Sequence, residues 1–115
     1  MSSDSPSKLI IRPEMLDDSV VFHCSGRLTL EYSAELKDAV TAVMPHKRSV
    51  TIELGEVSHM DSSGLGAIVA LYVSAKRENC EFRLLNYNPA IRKLFALSNL
   101  LSLFEAYGRA GTRMT

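Results

Sequence analysis

Only two cysteines occur in the 115 residues, Cys24 and Cys80, and they form no Cys-x-x-Cys pair. That excludes a disulfide-stapled scaffold, and because both sit beside apolar, strand-like sequence they read as reduced core thiols. Excess charge is lacking too: 13 basic and 13 acidic residues cancel. A neutral chain has no electrostatic claim on nucleic acid or an anionic membrane surface. The densest basic clusters, Lys47-Arg48 and Lys76-Arg77, are dipeptides and read as solvated ends. No run approaches the roughly 20 apolar residues of a membrane span, and the polar start from Met1 to Lys8 is unlike a signal peptide. No membrane insertion and a cytoplasmic location are therefore expected. The histidines, His23, His46 and His59, are too scattered to pair as ligands, so no metal and no cofactor is expected. Gly-x-x-x-x-Gly-Lys-Ser/Thr and Gly-x-Ser-x-Gly are both missing, which argues against a P-loop NTPase and a serine hydrolase.

What is present is enough apolar sequence, 46% of the residues, for one core in one domain. The Ser-rich residues 1–7 read as a disordered tail, 8–107 as the domain, and 108–115 as a loose end. Strands are predicted at Leu9–Ile11 and Val20–Cys24, joined by an acidic loop from Glu14 to Asp18 and ended by Ser25-Gly26. Leu30, Ala34, Leu36, Val40 and Val43 fit an amphipathic helix capped near Thr29 and stopped at Pro45. Ser49–Leu54 reads as a central strand. A second helix carries a stripe at Leu65, Ile68, Val69, Tyr72 and Val73 and ends by Glu78. A strand at Glu81–Leu85 follows, then a helix opened by Pro89, where the missing N–H is harmless, with apolar Ile91, Leu94, Phe95 and Leu97. Leu100–Phe104 adds a short strand or helical turn. The order predicts an α/β domain: a mixed, mostly parallel sheet of about four to five strands with helices packed on it.

The densest chemistry lies at His59-Met60-Asp61-Ser62-Ser63-Gly64-Leu65-Gly66, between a strand and a helix. There, unpaired N–H groups and the positive end of the dipole favour negative charge, and sites in such sheets lie beyond the strands' carboxyl ends. Asp and Ser are ordinary N-caps, so a bare helix start accounts for part of the pattern. Two serines allow a division of labour in which Ser63 lies nearer the cap and Ser62 is left exposed for modification. The glycines Gly64 and Gly66 would also let a phosphate approach, so weak nucleotide or anion binding is a secondary expectation. On the following helix Ala67, Ala70, Leu71 and Ser74 are expected to face partly outward, as a small-residue surface for a partner, with Thr29 counted in the same surface.

Met60-Asp61-Ser62-Ser63-Gly64-Leu65-Gly66 resembles the signature of the STAS domain family, the anti-sigma factor antagonists. Asn88-Pro89-Ala90-Ile91-Arg92-Lys93-Leu94-Phe95, followed by Leu97-Ser98-Asn99-Leu100, is similar to that family's Pro-x-x-x-(basic)-x-Leu-Phe helix and the turn after it. Gly26-Arg27-Leu28 resembles its strand-ending Gly-x-Leu. The likeness spans about residues 8–107. It implies a non-enzymatic STAS fold, phosphorylated at Ser62 by a GHKL-type serine kinase that doubles as an anti-sigma factor and reset by a metal-dependent phosphatase. Thr29 stands where many phosphorylatable members carry an acid. Other branches keep the fold as constitutive assembly subunits of transport ATPases or scaffolds, which is the alternative the resemblance offers.

Overall fold

Alternating burial along the strands shows how the sheet is dressed. In the second strand Val20, Phe22, Cys24 and Leu28 are sealed, while Val21, His23, Ser25 and Arg27 are half-buried. One face is thus fully covered and the other open to solvent in part. The computed structural model describes residues 8–97. The expected tails at 1–7 and 108–115 and the element at Leu100–Phe104 lie outside the described residues.

Four strands, β1 (Leu9–Met15), β2 (Ser19–Leu28), β3 (Ser49–Met60) and β4 (Glu81–Leu85), stand in the order β1-β2-β3-β4. The first pair is antiparallel and the other two are parallel, giving the predicted mixed sheet. Helices α1 (Ser33–Val43), α2 (Ser62–Arg77) and α3 (Pro89–Leu97) follow β2, β3 and β4. Two crossovers into successive neighbours carry α1 and α2, and α1 packs on α2. Val50, Ile52, Leu54, Phe82 and Leu84 complete the core beneath them. Cys24 and Cys80 are both buried free thiols, and burial, with Glu53 nearby, pushes Cys24 up to about 12.

Several boundaries differ from the sequence pattern, each for a local reason. β1 runs on through Arg12–Met15 because those residues pair with Val20–His23. Gly26 does not end β2. It has φ +96 beside a register shift, and a Cβ there would lie 2.0 Å from the Lys8 carbonyl oxygen, so the glycine absorbs a bulge and the strand continues. The first helix starts at Ser33, four residues later than Thr29 suggested. The Thr29 carbonyl, not its side chain, accepts from the N–H groups of Tyr32 and Ser33, and Leu30 is left 72% exposed. Pro45 sits inside a 3-10 turn, Met44–His46, that finishes α1. β3 extends to Met60, which delivers the motif at the end of a long central strand.

Candidate functional site

Asp61 is the N-cap of α2, and it does more than cap. Its Oδ1 accepts from the Gly64 N–H at 3.0 Å, while Oδ2 accepts from the Leu30 N–H at 3.1 Å. One carboxylate therefore ties the start of α2 to the loop that follows β2. These backbone bonds, Gly64's foremost, hold the Asp61 carboxyl below the usual carboxylate range against the opposing effect of desolvation. The cap expected near Ser63 is thus taken by Asp61, because a side chain in extended backbone before the first turn reaches the free N–H groups and one inside the turn does not. Ser62 is the first residue of α2 and is exposed, with no hydrogen bond from its hydroxyl to any described residue. Ser63 follows it, half-buried.

Gly64 faces inward. A Cβ there would stand 2.1 Å from the Leu28 carbonyl oxygen, so only glycine lets α2 lie this close to the end of β2. That contact fixes the helix's rotation. Leu65, Ala67, Ile68, Leu71 and Ala75 are buried with it, in register at three- and four-residue spacing. Ala67 at 3% and Leu71 at 1% exposure are therefore core residues, contrary to the expected partner surface, and Thr29 at 9% is buried as well. The predicted stripe was rotated toward Val69, Tyr72 and Val73, whose larger side chains dominate a hydrophobic reading of the helix. Val69 and Tyr72 are half-buried and Val73 is 47% exposed. The solvent-facing side runs instead through Ser62, Gly66 and Val73, with Ala70 and Ser74 half-exposed.

Two contributors escaped the sequence reading. Leu30, placed there on α1's apolar side, projects into solvent beside Asp61. Asn88 caps α3 through the Ile91 N–H at 2.8 Å and donates its amide to the Val57 carbonyl at 3.2 Å, pinning α3 to the strand that carries the motif. An Asn-Pro pair before a helix was the available signal. Among the described residues no group of three or more His, Cys, Asp or Glu gathers to hold a metal ion, and no helix is long and apolar enough to cross a membrane.

Comparison with known proteins agrees with this geometry. A family model described as "Mlab, STAS domain" matches residues 11–105. A STAS-domain containing protein of Pseudomonas aeruginosa is 29% identical over 93 residues, 81% of this chain and 92% of that protein. Among solved structures, an anti-sigma factor antagonist from Mycobacterium paratuberculosis superposes with a TM-score of 0.76 at 26% identity, over 87% of this chain and 86% of that one. The Bacillus cell fate determinant SpoIIAA in its phosphorylated form shares the fold, with a TM-score of 0.68 at 22% identity over 88% of this chain and 99% of that one.

Proposed function

This chain belongs to the STAS domain family, and on that premise we propose that it is an anti-sigma factor antagonist. It is a non-catalytic module that binds a serine kinase acting as anti-sigma factor and leaves it on phosphorylation at Ser62. The kinase is of the GHKL type, a metal-dependent phosphatase reverses the step, and the exchange takes place in the cytoplasm. One observation carries the reading: Ser62 stands exposed at the start of α2 with its hydroxyl unengaged, because Asp61 has taken over the cap.

A phosphoryl group there brings about −1.5 to −2 charges at neutral pH. Within the chain, the positive end of α2 favours that charge and Asp61 opposes it, so the fold is retained. At a partner's surface the same charge must be desolvated or meet an acid, and each 1.4 kcal/mol or so of mismatch weakens binding about tenfold. Switching thus needs no change of shape. The partner meets Leu30, Ser62, Gly66, Ala70 and Val73, with Ser74 at the margin. Gly66, around which a Cβ would touch nothing, gives the closest approach of backbone to partner.

The test is capture of partners from source lysate with the full chain as bait. Wild type and Ser62→Ala are expected to retain a serine kinase, Ser62→Asp to lose it, and only wild type to be phosphorylated by it. A transport ATPase held equally by all three baits would overturn the reading.

A further inference from the structure

Exposed leucines are ordinary on protein surfaces, and Leu16, 45% exposed in the turn between β1 and β2, is one of them. Leu30 differs in where it stands and in how it is held. At 72% it is the most exposed large apolar side chain among the described residues. Yet the backbone that carries it is fastened on both sides. Leu28 and Thr29 before it are buried, and the Thr29 carbonyl accepts from the Tyr32 and Ser33 N–H groups at 2.9 and 2.8 Å. Tyr32 packs against the core. The Leu30 N–H itself donates to Asp61 Oδ2 at 3.1 Å.

Asp61 immediately precedes Ser62, so this one bond sets the leucine beside the proposed phosphorylation site. Leu30 also shares an open cleft with Met60 and Ala90, which carry apolar surface on from the side chain. A group already held in place loses little freedom on binding, and such a group makes a good anchor.

On the premise that the chain binds a kinase, we propose that Leu30 is the anchor of that interface. The kinase receives it in an apolar pocket whose rim closes over Met60 and the Ser62 hydroxyl. A closed rim keeps water from the anchor and from its neighbours. A hydroxyl fits such a dry margin at small cost, whereas a phosphoryl group there loses its hydration and expels the partner. Leu30 supplies affinity and Ser62 the gate.

The test uses the serine kinase retained by the wild-type bait, titrated over immobilised full-length chain. Leu30→Ala is expected to weaken binding at least about tenfold, with Leu30→Met within about threefold of wild type. Leu16→Ala, at the opposite end of the sheet, is expected to bind as wild type does. All three sites of change are exposed, so thermal unfolding is expected to stay at the wild-type temperature. Phosphorylation kinetics separate anchoring from chemistry: Leu30→Ala is expected to raise KM and keep kcat. Equal binding of wild type and Leu30→Ala, a loss matched by Leu16→Ala, or a fall in kcat alone would each overturn the anchor and leave the kinase reading standing. A wild-type bait that retains no kinase brings down the reading and the anchor together.

Discussion

Gly64 and Gly66 lie two residues apart in one helix, and they meet opposite surroundings. The first is jammed against the Leu28 carbonyl; the second opens on empty space. The same contrast runs the length of α2, with Ala67, Leu71 and Ala75 in the core, Ala70 half-exposed and Val73 outward. A small residue on a helix therefore does not by itself mark a binding face. Inward, it shortens the distance between helix and sheet; outward, it leaves room for something else.

Breaking the inner side gives the largest expected effect. Gly64→Ala forces α2 away from β2 and is expected to destabilise by about 1–3 kcal/mol, as overpacked cores do, measured by denaturant unfolding. The rim between the two sides comes next. Asp61→Ala removes the cap and the tie to Leu30, with an expected loss of about 1 kcal/mol at neutral pH. The Asp61 carboxyl lies below its ordinary value in the fold, so its contribution is complete above the unfolded value near 3.9 and fades as pH falls through the lower folded one. The gap between wild type and Asp61→Ala should thus narrow in acid unfolding at pH 2–3 and hold constant above about pH 5. The outer side gives the smallest change in stability, and of opposite sign. Gly66→Ala is expected to raise stability by up to about 1 kcal/mol, since nothing obstructs the methyl and alanine favours helix. If the outer face is the docking face, that stabilised variant binds the kinase more weakly in a surface-binding assay. Equal binding would remove Gly66 from the interface.

How far the sequence led can be judged at particular residues. Strand Glu81–Leu85 and helix Pro89–Leu97 match their patterns because alternation and an N-terminal proline are local signals. The apolar pattern marks only Ser49–Leu54; the more polar remainder to Met60, buried at Val57 alone, is a strand because β2 pairs with it. At the motif, local rules placed a helix start after the strand and its capping residue types, but not which of Asp61 and Ser63 caps. The Leu30 N–H that Oδ2 accepts lies 31 residues away and left no trace in the local pattern.

By itself, then, the sequence determined the element order, the mixed sheet, and the placing of Asp61-Ser62-Ser63-Gly64 on the rim where β3 becomes α2. Those follow from hydrophobic period and backbone preference, which act over a few residues. Only the tertiary structure decided which way α2 is turned, and hence which residues a partner can reach. That rotation brings Gly64 close to the Leu28 carbonyl and Asp61 to the Leu30 N–H, residues that lie far apart in the chain and become neighbours only in the folded domain.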